Sequence, residues 1–243
     1  MIVLIITAVR VKSMDSHRIS GRILAENIAG PGMLRLVEQS MQARARKTSV
    51  TEIAVKERKH PQAALTFDDG PDIRYTPLLL DGLKERNVRV SFFLLGEKVE
   101  QYPELVERMQ KEGHLVGNHT YHHVQLNKLN ETKAREEILK TNNLIYETTG
   151  VYPLYLRPPF GAWKKNLELC VEMLPVFWTI DTLDWKVQNT EKIVRTVQEK
   201  IEDGAIILMH DEYDTSVEAA LQVVDELKSQ GYELVTVDQL ILP

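Results

Sequence analysis

Three groups of residues in this chain could cooperate in hydrolysis. The first is the adjacent pair Asp68 and Asp69, followed by Gly70 and Pro71. Neighbouring carboxylates at a strand end point in different directions, so one can hold a cation while the other takes a proton from water. Asp-Gly-Pro is also strong turn chemistry, and the two readings are compatible. The second group is His119 and His123, two imidazoles at i and i+4. On a helical turn that spacing shares a face, so both can ligate one metal. Many histidine pairs bind none, but Asp69 adds a hard ligand. Two histidines, one carboxylate and a position open to water form the layout of catalytic zinc sites. Ligand type alone does not exclude ferrous iron or another divalent ion. His122, between the pair, reads as uninvolved.

The third group is Arg157, Asp181, Asp184 and His210. Arginine is the natural bidentate partner of a carboxylate. Arg157 is followed by Pro158, Pro159, Phe160 and Gly161, a rigid turn that can fix backbone N–H groups toward an oxyanion, or that is a plain loop. A carboxylate paired with His210 favours the protonated imidazole that a general acid needs. Trp185 and Leu208 can wall a small apolar pocket; for Trp185 the alternative is core packing.

Regular elements must bring these groups together. Apolar runs at 63–67, 88–95, 114–117, 154–157, 175–180, 205–209 and 232–235 read as strands. Helical segments alternate with them. Pro103 suits a first turn. Thr190 reads as the cap of a helix with Ile193, Val194, Val197 and Ile201 on one face, and Thr215 with Glu218 reads as a capping box. About seven alternations predict a parallel α/β fold, either a barrel or a doubly wound sheet. The reactive residues then fall at the C-terminal ends of five strands, where parallel barrels carry their active sites.

The composition sets the outer bounds. The 243 residues suffice for one large domain, or one domain with an appendage. Hydrophobic residues make up 43% and charged residues 27%, ordinary for a globular protein. A net charge of −5 argues against a nucleic-acid surface. The single cysteine, Cys170, has apolar neighbours and reads as a small core residue; it permits no internal disulfide, which does not by itself assign a compartment. Residues 1–61 look different from the rest. They hold an expected helix at 33–46, a basic cluster at Arg44, Arg46 and Lys47, and an apolar run at 2–9. That run is too short to span a membrane. It reads equally as a buried strand or as the trimmed end of a longer membrane anchor.

Five motifs in order carry a resemblance: TFDDGP at 66–71, HTYHH at 119–123, RPPFG at 157–161, DTLDW at 181–185 and LMH at 208–210. Together they resemble the polysaccharide deacetylase family, carbohydrate esterase family 4, also called the NodB-homology domain. The resemblance runs over about 62–242. It implies a distorted (β/α) barrel of about seven parallel strands, with 62–243 as catalytic domain and 1–61 as a small N-terminal extension. It implies one divalent metal, zinc first, on Asp69, His119 and His123. Asp68 becomes the general base, oriented by Arg157, and His210 the general acid, tuned by Asp184. The Phe160 N–H joins the oxyanion site, and Trp185 with Leu208 lines the acetyl pocket. Phe160 stands where the family commonly has tyrosine; only the backbone matters there. The implied reaction is removal of N-acetyl groups from N-acetylglucosamine residues, first in peptidoglycan. Chitin-oligomer deacetylation, acetylxylan esterase activity and a non-catalytic carbohydrate-binding role are the alternatives. The protein is expected to be a monomer, extracellular or at the cell surface, and held at a membrane where the N-terminal run is read as an anchor.

Overall fold

The computed structural model describes residues 59–163 and 173–241. The expected helix at 33–46, the basic cluster of Arg44, Arg46 and Lys47, the apolar run at 2–9 and Cys170 lie outside those residues. Among the described residues, eight strands form one parallel sheet. They are β1 (Gln62–Asp68), β2 (Ser91–Leu94), β3 (Leu115–Asn118), β4 (Tyr155–Leu156), β5 (Leu174–Pro175), β6 (Ile180–Asp181), β7 (Ala205–His210) and β8 (Glu233–Leu234). Their order is β5-β4-β3-β2-β1-β7-β6, with β8 beside β1. The helices are α1 (Tyr75–Glu85), α2 (Gly96–Gln101), α3 (Pro103–Lys111), α4 (Glu131–Thr149), α5 (Asp184–Val187), α6 (Thr190–Lys200), α7 (Asp214–Ser229) and α8 (Val237–Ile241).

The stretch expected as one strand at 175–180 is two strands at opposite ends of that order. β5 pairs with β4 through Tyr155 and Leu174, and β6 pairs with β7 through Ile180 and Ile207. Between them the Val176 N–H donates to Leu156 O (2.8 Å) and the Thr179 N–H to Ile206 O (2.9 Å). One short segment thus bonds to both edges and curls the sheet into the distorted barrel that the family resemblance implies. Pro175, which has no N–H to donate, lies between Leu174 and Val176, whose N–H groups make the bonds to the β4 edge.

Side-chain alternation along the strands decides what reaches the interior. Ala63, Leu65 and Phe67 of β1 pack with Leu79 and Leu83 of α1 and with Val223 and Val224 of α7 in the main core. The other face carries Ala64, which clusters with Phe93, Tyr155, Val176 and Val237. The same alternation puts Thr66 and Asp68 on the Ala64 face. In register with them stand Leu208 and His210 of β7. Strand pairing alone therefore sets a carboxylate and an imidazole side by side at one end of the barrel.

Two helix starts differ from expectation. The cap of α6 is Asn189, whose side chain accepts from the Lys192 N–H at 3.0 Å; Thr190 is the first helical residue. Asparagine is at least as good an acceptor there as threonine. The Thr190 hydroxyl instead donates to Glu218 (3.0 Å), so the capping box expected from Thr215 and Glu218 does not form, and α7 begins at Asp214.

Gly117 of β3 is needed for the inner layer. A Cβ there would stand 2.7 Å from Phe93 Cδ1 and 3.0 Å from Tyr155 O, too close for either to remain in place. Phe93 in turn lies under the Arg157 guanidinium, 4.3 Å from ring centroid to Cζ. Overpacking of a core typically costs about 1–3 kcal/mol. Gly117→Ala is therefore expected to lower the melting temperature by several degrees. An unchanged melting curve would mean that the inner layer is looser than described.

Candidate active site

Asp68, Asp69, His119, His123, Arg157, Asp184 and His210 converge at the C-terminal ends of β1, β3, β4, β6 and β7. Asp69 Oδ1 lies 3.4 Å from His119 Nε2 and 3.4 Å from His123 Nε2. The three ligand atoms fall within 4.8 Å of one another, and the described residues contain no other such group. Asp69 Oδ1 is buried and accepts no hydrogen bond. A buried carboxylate oxygen without a donor is costly unless a cation meets it. His119 fits the same reading. Its Nδ1 is 2.7 Å from the Arg157 carbonyl oxygen, which can only accept, so Nδ1 carries the proton and Nε2 offers a lone pair. Burial, partly opposed by the Asp69 charge, pushes the His119 pKa down to about 3, keeping the ring neutral. The donor set and its protonation suit a divalent metal.

The two histidines do not share a helical turn. Residues 119–123 form a loop, in which Thr120 (φ 68°) and His123 (φ 55°) are left-handed. Asp69 (φ 68°), Phe160 (φ 59°) and Leu183 (φ 53°) are left-handed as well, so five of the seven such non-glycine residues described lie at this site. Each costs of order 1–3 kcal/mol and persists only where its surroundings over-determine it.

Asp68 takes a different partner from Asp69. Its Oδ1 accepts from Arg157 Nη1 at 2.8 Å, and its Oδ2 is 3.7 Å from His119 Nε2. Arg157 is fully buried and Asp68 only 3% exposed. Arg157 Nη1 also donates to Thr66 Oγ1 (2.7 Å), which donates to Ile207 O (2.7 Å). Burial raises the Asp68 pKa, and the charges of Arg157 and then His210 work against that rise.

His210 faces the cluster from β7, its Nε2 3.8 Å from Asp69 Oδ2. Its Nδ1 meets Asp184 Oδ1 at 2.8 Å, while its backbone N–H donates to Asp184 Oδ2 at 2.8 Å. Burial disfavours the imidazolium, but the hydrogen bond and charge of Asp184 outweigh it and raise the His210 pKa to about 9. Asp184 is fully buried; burial alone would raise its pKa, and the bonds from His210 hold it below the ordinary value.

The Phe160 ring sits 4.5 Å from that of His123. Trp185 is half exposed, not in the core, and Leu208 is buried on β7. Asp181 accepts from the Leu183 N–H (2.9 Å) and shapes the turn into α5.

The polysaccharide deacetylase family model matches residues 55–177. The chain belongs to the polysaccharide deacetylase family. It is 42% identical over 185 residues to peptidoglycan-N-acetylglucosamine deacetylase PgdA of Listeria monocytogenes, an alignment covering 76% of this chain and 40% of that one. It is also 42% identical over 177 residues to peptidoglycan-N-acetylmuramic acid deacetylase PdaC of Bacillus subtilis, covering 73% of this chain and 38% of the relative. The chain thus spans about two-fifths of the length of these curated relatives. The solved structure of peptidoglycan deacetylase PdaC from Bacillus subtilis superposes with a TM-score of 0.73 at 41% identity, covering 75% of this chain and 91% of that one.

Within this family fold, motif residues account for most of the site but not all of its supports. Thr66 lies inside a motif, yet its hold on Arg157 shows only in three dimensions. Glu137 and Asn118, which fasten the histidine loop, carry no motif signal; Glu137 sits among charged neighbours on α4 and reads as a solvated helix face.

Removing Arg157 leaves a buried carboxylate without its counter-charge. Losing one partner of a buried pair typically costs about 3–5 kcal/mol. Arg157→Leu is expected to destabilise the protein by that order, and adding Asp68→Asn to recover part of the loss. Equal stability of wild type and Arg157→Leu in chemical denaturation would contradict the pairing.

Proposed function

We propose that this chain is a metal-dependent polysaccharide N-deacetylase that hydrolyses the acetamide of N-acetylglucosamine residues in peptidoglycan. The arrangement that supports this best is one candidate cation site bordered by two separately held proton-transfer groups: Asp68 on Arg157, and His210 on Asp184. Residues 62–243 are taken as the catalytic domain.

Asp69, His119 and His123 hold the metal, zinc first; when bound, it supplies Lewis acidity that polarises the acetyl carbonyl and acidifies water. Asp68 keeps Oδ1 on Arg157 and uses Oδ2 to take a proton from water as the water oxygen adds to the acetyl carbon. The Phe160 N–H steadies the oxyanion that forms. Trp185 and Leu208 wall the acetyl methyl group. His210 then gives its Nε2 proton to the amide nitrogen as the C–N bond breaks, and the amine and acetate leave. The Asp184 bond at Nδ1 keeps His210 charged and its Nε2–H aimed at the cluster until that step.

The sugar is the finer question. The two curated relatives above are named for different sugars at the same identity, so N-acetylmuramic acid is the second reading. Either substrate puts the protein at the cell surface or outside the cell. Among the described residues no helix is long and apolar enough to cross a membrane, and the run at 2–9, read as an anchor, lies outside them. The protein is read as a monomer.

Acetate release from N-acetylglucosamine oligomers, peptidoglycan and acetylated xylan tests the proposal. Release from the first two, lost on chelation and restored by a divalent metal, is expected. Release from xylan alone points to an esterase, and no release from any of them to a carbohydrate-binding protein.

The acid is tested through the leaving group. An amine needs the proton from His210, whereas an activated acetyl ester carries a good leaving group already. General acids typically contribute about 10²–10⁴-fold. His210→Ala should cost that order of rate on the oligomer and far less on the ester. Equal losses on both would remove His210 from the acid role.

A further inference from the structure

We infer that Glu137, on the outer helix α4, is a positioning residue for the metal: its carboxylate sets the loop that carries His119 and His123. The inference rests on the metal-site reading above and adds a residue outside all five motifs.

A single carboxylate here meets three groups of that loop. Glu137 Oε2 accepts from the Tyr121 N–H (3.0 Å) and the His122 N–H (2.9 Å), and Oε1 meets His122 Nδ1 at 2.7 Å. The loop apex is thus pinned midway between the two imidazoles. The neighbouring helix position fixes the loop's base: Asn118 Nδ2 donates to Ile138 O (2.9 Å), and Asn118 Oδ1 accepts from the Thr120 N–H (2.7 Å). On the far side the Gly96 N–H of α2 donates to Thr120 O (2.9 Å). Gly96 leaves no slack, since a Cβ there would stand 2.4 Å from Tyr121 Cδ2 and 2.5 Å from Thr141 Oγ1.

The loop needs such holding. Thr120 and His123 are left-handed, and both flank the apex that Glu137 grips. A free chain relaxes from that conformation. Release would swing His123 relative to His119, whose own ring is fixed independently by the Arg157 carbonyl. The expected consequence is weaker metal binding with the barrel intact. Outer partners that orient ligands typically contribute about 10–100-fold to metal affinity. Glutamine keeps one acceptor oxygen and loses the charge; alanine removes all three contacts.

The experiment measures zinc affinity by competition with a chromogenic chelator, and the visible spectrum after cobalt substitution, for wild type, Glu137→Gln and Glu137→Ala. Zinc affinity should fall about 10–100-fold for alanine and less for glutamine. The cobalt spectrum should change, and saturating metal should restore much of the activity. If alanine fails to fold, the glutamine variant carries the same comparison. Folded variants with wild-type affinity and an unchanged cobalt spectrum would overturn the role of Glu137. Wild type that takes up no metal would instead overturn the metal-site reading beneath it.

Discussion

The site depends on burying one charged residue, Arg157, completely inside the barrel mouth. Its side chain holds Asp68 and Thr66, its carbonyl oxygen sets the tautomer of His119, and its flat face rests on Phe93. Burying a guanidinium is unfavourable unless its charge is met and its N–H groups are used. Asp68 meets the charge, and the backbone carbonyl of the same residue fixes His119. Gly117 and the inner face of β1 are arranged around that requirement: small or polar groups replace the apolar side chains that a barrel interior would otherwise carry.

Adjacent carboxylates are thereby given separate partners. β1 alternation delivers Asp68 inward to Arg157, while the left-handed turn at Asp69 brings its carboxylate to the two imidazoles. His210 is governed by a third carboxylate, Asp184, which two bonds from a single residue keep ionised. Arg157 holds Asp68 and Asp184 holds His210, while burial keeps His119 neutral and the Asp184 bond keeps His210 charged. One site thus holds a neutral and a charged imidazole side by side.

Much of this was legible in the sequence. The alternation of strand and helix segments points to the parallel α/β class, and the reactive residues fall at strand ends because inward-facing terminal positions line the mouth of a barrel. The resemblance supplied the barrel and the roles. What was hidden was three-dimensional. The run at 175–180 looks like one apolar strand, and nothing local says that its ends bond to opposite edges. His119 and His123 have helical spacing, but Asn118, Gly96 and Glu137 hold the intervening residues in a strained loop. The Asn189 cap was masked by Thr190 beside it. Glu137 reads as surface charge because its partners are backbone N–H groups of a distant segment.

The proposed division of labour between Asp68 and Asp69 is tested most directly by a crystal structure of the protein grown with zinc. The ion should sit on Asp69 Oδ1, His119 Nε2 and His123 Nε2 at about 2.0–2.2 Å, with Asp68 Oδ1 still on Arg157. Zinc bound through Asp68 with its Arg157 bond broken, or zinc lodged elsewhere, would contradict that division.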